Sequence, residues 1–163
     1  LYTLADGIMG KVGYVYQASN FYYIGQFSTS VYRDRKTKEK IHPRSAKKLC
    51  EENAIYENKN KIFWLTHSFC EYKGIDKING LMFRYVYPLS KKAKKMLYEY
   101  DEYINNKYPK EKDLVFKKRV LSGSFIKIDK PDFDMSVREH NHQKEDSNIK
   151  QYNIFDFMEE WYY

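Results

Sequence analysis

Three glycines stand at every third position in Asp6-Gly7-Ile8-Met9-Gly10-Lys11-Val12-Gly13, directly after a Leu1–Ala5 stretch that alternates toward a strand. Glycine is the default residue where a backbone turns sharply or is approached closely, so the segment reads as a loop leaving a strand end. The next residues, Gly13–Ser19, have helix-compatible spacing with Val15 and Ala18 on one face. Asn20 then stands where a left-handed residue ends a helix. The expectation is strand, glycine loop, and a short helix at about 11–19, a unit that directs the chain to the α/β (α+β) class.

Further along, Phe21–Phe27 is aromatic and β-favouring, while Val31–Arg33 and Glu39–Ile41 enclose a basic tip and read as a hairpin. Ser45–Glu52 reads as a helix capped by Ser45. Lys61–Leu65 and Leu81–Tyr87 are strand candidates, the latter apolar enough to be buried on both faces, with Gly74–Gly80 as the turn-rich link between them. Ser90–Ile104 carries a cap, four lysines and apolar residues at helical spacing, which predicts a basic amphipathic helix. The pattern weakens over Lys110–Arg119, and Ser124–Ile128 is a strand candidate. Asp132–Lys150 is polar enough to be disordered, and Tyr152–Tyr163 is an acidic aromatic segment suited to docking as a helix or peptide. No repeat recurs at a useful period.

A chain of 163 residues suits one domain. Its net charge of +7 is uneven: residues 129–163 hold four Lys/Arg against nine Asp/Glu, leaving −5 there and +12 on residues 1–128. A body that basic attracts polyanions in a salt-dependent way, although a low-GC genome with its Lys, Tyr, Asn and Ile codons produces the same bias. No apolar run approaches the roughly 20 residues of a membrane span, and no basic-then-apolar leader opens the chain, so a soluble cytoplasmic protein without membrane contact is expected. Cys50 and Cys70 have neither disulfide-framework nor zinc spacing and read as ordinary core thiols. The first residue is Leu1, which together with a strand already under way suggests that upstream sequence is missing.

Residues Ala5–Gly25, ADGIMGKVGYVYQASNFYYIG, resemble the central motif of the phage Mom family. There an Ala-Asp pair at a strand end leads through a Gly-rich loop to a Tyr-Gln-Ala-Ser-Asn-Phe helix end and an aromatic strand. The likeness continues more weakly through Lys40–Ser45, Phe83–Leu89 and Lys91-Lys92, covering about residues 1–110, and residues 111–163 form an extension without a counterpart. The resemblance implies a fold of the GCN5-related acetyltransferase (GNAT) type, a mixed sheet with flanking helices, of which this chain would hold the C-terminal half. It implies an enzyme that modifies N6 of adenine in phage DNA with a methylcarbamoyl or acetamido-type group, blocking host restriction. It also implies acetyl-CoA as cofactor, iron as a possible metal, and double-stranded DNA as partner. Asp6 and Tyr16 match the family's functional Asp and Tyr at an unchanged spacing of ten, and are the catalytic pair and candidate iron ligands.

In a GNAT-type site the loop after the central strand and the following helix N-terminus hold the cofactor pyrophosphate, which assigns Gly7, Gly10, Lys11 and Gly13 to cofactor binding. The usual GNAT loop has Arg or Gln before its glycines, whereas this chain has Gly7. From the residues alone, an ordinary strand-to-helix turn, with Asp6 capping the loop and Tyr16 packed in the core, is the more common explanation of the segment. Gln17 and Asn20 are secondary candidates for orienting a base or cofactor amide. His42 and Arg44 flank a rigid proline and suit phosphate contact or proton transfer. Arg33, Arg35, Lys36, Lys38 and Lys40 on the hairpin, and Lys91, Lys92, Lys94 and Lys95 on the helix, form two basic patches for duplex phosphates. Tyr32, Tyr85 and Tyr87 lie nearby to stack an extruded adenine. His140-Asn141-His142 is a coincidental tripeptide, and no Walker loop or nucleophile elbow is present. Two other readings remain open: an N-acetyltransferase acting on a protein or small-molecule amine, and a non-catalytic DNA-binding phage module.

Overall fold

The computed structural model describes residues 1–43, 46–99 and 107–137. The strands are β1 (Tyr2–Asp6), β2 (Tyr22–Asp34), β3 (Lys40–Ile41), β4 (Ile75–Val86), β5 (Lys117–Arg119) and β6 (Phe125–Lys127). The helices are α1 (Tyr14–Ala18), α2 (Lys47–Tyr56), α3 (His67–Lys73) and α4 (Lys91–Tyr98), with a single 3-10 turn at Gly7–Met9 between β1 and α1. This is the expected α/β (α+β) class. The sheet departs from the expected mixed type, since every strand pairing is antiparallel in the order β3-β2-β4-β5-β6, with β1 also on β4.

β4 organises the sheet. β2 runs along it from Tyr22↔Val86 to Asp34↔Ile75, while β1 (Asp6↔Met82) and β5 (Ile78↔Lys118) share its other edge in tandem. The residues after 110 therefore add two strands to the same sheet. Phe21–Phe27 and Val31–Arg33 belong to one 13-residue strand, interrupted by a register shift between Tyr23 and Gln26 where Gly25 takes φ +94°.

Gly74–Gly80 was expected as a turn-rich link, but Ile75–Gly80 is the first half of β4. Its turn-forming residues have other duties. A Cβ on Gly80 would lie 2.6 Å from Ile8 Cγ1, so glycine there makes room for the 3-10 turn to sit on the sheet. Asp76 is buried because three cations surround it. Leu81–Tyr87 is also less buried than expected: Phe83 and Tyr85 are inside, while Leu81, Met82, Arg84 and Val86 are only half-covered.

Lys61–Leu65 is not a strand. Its backbone is held by side chains instead, the Asn53 amide donating to Trp64 O at 2.9 Å and Leu65 N–H donating to the Tyr32 hydroxyl at 3.4 Å. Helix α3 lay outside the expectations although its ends are marked. Thr66 Oγ1 accepts from Phe69 N, and Gly74 closes the helix at φ +68°. Helix α4 begins as expected at Ser90, whose Oγ accepts from Ala93 N at 3.1 Å. α4 ends at Tyr98, short of the expected Ile104. Asp132–Asp134, expected to begin a disordered stretch, is instead anchored to the hairpin and core. Residues 100–104, the Ser45 cap, the polar stretch beyond Val137 and the terminal aromatic segment lie outside the described residues.

The core has three centres. Tyr32, Ile41, Leu49, Leu65, Phe69 and Ile75 join the helices to one end of the sheet. Ala5, Val12, Phe83 and Tyr85 pack beneath the glycine loop. Ile8, Val31 and Ile78 form the third, covered by Phe133 from the C-terminal part. Cys70 is a core thiol as expected, and burial pushes it up to about 11. Among the described residues no helix is long and apolar enough to cross a membrane.

Candidate functional site

β1 ends at Asp6, and the chain turns at once because Asp6 caps the 3-10 turn: its Oδ1 accepts from Ile8 N at 3.0 Å, and its backbone oxygen accepts from Lys11 N at 3.1 Å. The other carboxylate oxygen, Oδ2, receives Lys40 Nζ at 2.5 Å. Both side chains are largely covered, so this pair is less screened than a surface one. Gly10 and Gly13 both take positive φ, +77° and +86°, which lets the loop reverse and enter α1. Gly7 is needed for packing, since a Cβ there would lie 2.4 Å from Leu81 O and 2.9 Å from the Phe83 ring.

α1 buries different residues from those expected. Val15 and Ala18 face outward, while Tyr16 lies against Phe21 at 5.5 Å and Tyr85 at 5.4 Å between ring centroids. Gln17 has its amide nitrogen engaged within the fold. Its amide is shared among Val12 O (3.2 Å), the Tyr85 hydroxyl (3.1 Å) and Pro109 O (3.1 Å), tying α1 to β4 and to the chain beyond α4. The Tyr85 hydroxyl itself donates to Val12 O, and burial pushes it up to about 12. Asn20 takes φ +57° just past the helix, the terminating role open to it from the start.

Between β1 and α1 opens a cleft of about 540 Å³, and Asp6, Gly10, Lys11, Gly13 and Tyr16 all border it. Tyr14 and Glu111 join them. Sequence reasoning missed Tyr14, an exposed ring at the cleft edge with Lys110 Nζ 5.7 Å from its centroid. It missed the Lys40–Asp6 pair as well. The signal for Tyr14 was its place one residue into the helix, on the loop side. Nothing local ties Lys40 to Asp6, which is 34 residues away.

The hairpin patch is largely neutralised. Arg33 pairs with Asp76 (3.1 Å) and Asp132 (2.6 Å), Arg35 with Asp76 (2.7 Å) and Glu71 (2.7 Å), and Lys40 with Asp6. Asp76 also receives Lys118 at 3.0 Å. Burial pushes the Asp76 carboxyl up, but hydrogen bonds from Arg35, Lys118 and Arg33 outweigh it and hold the group below the ordinary carboxylate range. The two arginines thus hold strands together and are not presented to phosphates. Lys36 is exposed, Lys38 takes φ +62° at the turn, and His42 is exposed. Arg44 and the His140–His142 tripeptide lie outside the described residues. Lys91, Lys92, Lys94 and Lys95 are all exposed on α4 as expected. Tyr32 and Tyr85 are buried and closed to a base, and Tyr87 packs on Phe21 at 5.2 Å.

The cleft residues fit the two implied cofactors unequally. Coenzyme A needs an open groove, a backbone that phosphates can approach and a nearby cation, and Gly10, Gly13 and Lys11 supply these. An iron centre needs several convergent donors. Asp6 has both oxygens engaged, Tyr16 is the only other oxygen donor of the expected pair, and among the described residues no group of three or more His, Cys, Asp or Glu is placed to hold a metal ion. This donor set does not fit iron as it is arranged.

Comparison with curated proteins and with solved structures returns no match. The model of one protein family does match, over residues 1–110, the stretch that builds β1 through α4 and the glycine loop with its Asp6 and Tyr16. On that match over two thirds of its length, the chain belongs to the Mom protein family, whose role is the modification of phage DNA.

Proposed function

We propose that the protein takes part in modifying N6 of adenine in double-stranded phage DNA and so blocks host restriction, through a GNAT-like acyl transfer that leaves an acetamide at N6; a methylcarbamoyl adduct would need a nitrogen donor besides the acetyl donor. The observation that carries this reading is the convergence of Asp6, Tyr16, Gly10, Lys11 and Gly13 on one cleft. The exposed lysines of α4 supply a surface for duplex phosphates.

Acetyl-CoA, when bound, supplies an activated two-carbon acyl unit. Gly10 and Gly13 open the backbone to its phosphates, and Lys11 lies beside them. The adenine amine is a poor nucleophile because its lone pair is shared with the ring, so it must lose a proton as its N6–C bond forms, while the thioester C–S bond would break and coenzyme A would leave as the thiol. Of the two carboxylates bordering the cleft, Asp6 and Glu111, Asp6 is the one fixed in place, by Lys40 at 2.5 Å, and its singly engaged oxygens keep lone pairs able to accept that proton. Tyr16 is the hydroxyl donor of the same cleft, fixed by its contacts with Phe21 and Tyr85. Tyr14, exposed at the edge, is placed to stack on a base turned out of the duplex, since N6 inside a base pair is poorly accessible.

A second reading has an observation of its own. Asp6 caps the 3-10 turn and pairs with Lys40, and Tyr16 packs among aromatics, which are complete structural roles for a non-catalytic DNA-binding module. Coenzyme A binding separates the two: titration calorimetry on the full chain yields a saturable heat under the first reading and none under the second. Mass spectrometry of nucleosides from DNA of cells expressing the protein tests the reaction, with a heavier deoxyadenosine expected.

A further inference from the structure

The segment after β6 folds back across the glycine loop, and it is anchored at successive residues. Pro131 is buried, and Phe133 packs on Ile8, Val31 and Ile78. Asp132 accepts from Arg33 through its carboxylate at 2.6 Å and through its backbone oxygen at 3.2 Å. Asp134 N donates to Lys38 O at 2.9 Å, and the same residue forms a parallel bridge with Glu39. A strap fixed this way positions the residue that leads it. That residue, Lys130, lies so close to Gly10 that a Cβ built there would be 2.5 Å from Lys130 Nζ and 2.6 Å from its Cε.

Gly10 borders the cleft, and the exposed Lys130 side chain ends beside it, over a backbone position that carries no Cβ. Lys40 spends its charge on Asp6, whereas neither Lys130 nor Lys11 has a carboxylate partner among the described residues. The carboxylates near the cleft are Asp6 and Glu111, and the cations are Lys11, Lys40, Lys110 and Lys130. Four cations against two carboxylates leave the cleft positive, with Lys11 and Lys130 both next to the Gly10 turn.

We infer that Lys130, which lies beyond the family-matched residues 1–110, joins Lys11 in binding a phosphate group of the ligand beside Gly10. The phosphate belongs either to the DNA backbone or to the cofactor. The inference deepens the proposed function and rests on it for the identity of these ligands. Lys130 acts as a positioning residue that fixes the ligand beside Asp6 and takes no part in proton transfer.

The test uses the full chain and its Lys130→Ala and Lys130→Arg variants; Lys130 is exposed, so the fold is retained. Binding is measured separately to coenzyme A by calorimetry and to a short adenine-containing duplex by fluorescence anisotropy over a salt series. The expected result is an affinity loss of about tenfold for Lys130→Ala toward one of the two probes, largely restored in Lys130→Arg. Loss toward the duplex, with a salt slope shallower by about 0.9, identifies a backbone phosphate. Loss toward coenzyme A alone identifies the cofactor. Unchanged affinity for both probes in Lys130→Ala, or no binding of either by the parent chain, overturns the inference. DNA modification scored in the same variants keeps the two ideas apart. Modified DNA with Lys130-independent binding sinks this inference and spares the function, and Lys130-dependent binding without modification does the reverse.

Discussion

A methyl group on Gly13 would have to occupy space 2.6 Å from the Tyr85 ring while the backbone holds φ at +86°. Both faults act together, so Gly13→Ala is expected to destabilise the protein by about 2–3 kcal/mol, read from the urea midpoint. The Asp76 pocket makes a pH-dependent prediction. Asp76→Asn leaves Arg33, Arg35 and Lys118 around a neutral amide and is expected to cost about 2 kcal/mol, reduced from the value for a fully buried pair because Arg35 and Lys118 reach solvent. The native carboxyl titrates below its unfolded value, so its contribution is complete above about pH 4 and fades as pH falls through the lower folded value. Urea melts should therefore separate parent from variant at neutral pH and bring them together only in acid. At this scale the sequence was legible where chemistry was local: Asp6 at the strand end, the glycines of the loop, Ser90 as a cap. It was silent where partners are distant, as with Lys40 for Asp6, Asp76 for Arg33 and Arg35, and Pro109 for Gln17.

Elements were read best where periodicity and end signals agreed. β1, the glycine loop, α1 and the start of α4 fall where their patterns put them. Ile75–Gly80 was misread because Gly74, Asn79 and Gly80 carry turn propensity, yet Gly80 is small to admit Ile8, a constraint imposed from across the fold. Lys61–Leu65 has a strand's composition without a strand's neighbours, and side-chain hydrogen bonds to its backbone replace a ladder. α4 offers an element-scale prediction. Replacing Lys91, Lys92, Lys94 and Lys95 together with Gln should leave the circular dichroism spectrum nearly unchanged, since all four are exposed. It should weaken duplex binding and flatten its salt dependence by about 0.9 for each lysine that meets a phosphate. Equal slopes for parent and variant would remove α4 from the DNA surface.

Across the whole molecule, the family-matched region and the residues beyond it are physically joined. β5 pairs with β4, Phe133 closes the third core centre, and Asp132 and Asp134 hold the hairpin. In residues 111–137 only the β6 strand was legible, as Ser124–Ile128, while β5 and the strap gain their order from contacts with earlier parts of the chain. The residues of the family motif border one cleft, Lys40 pairs with Asp6 there, Tyr14 lines its edge, and Lys130 ends beside Gly10. The central claim is that this cleft modifies adenine through Asp6. The most direct measurement is mass spectrometry of nucleosides from plasmid DNA of cells expressing either the parent protein or Asp6→Asn, a variant that keeps the cap oxygen for Ile8 N but removes the charge facing Lys40. A heavier deoxyadenosine in DNA from the parent, absent with a soluble Asp6→Asn protein, is the predicted result. The same adduct at the same level with both proteins, or unmodified DNA from both, would contradict it.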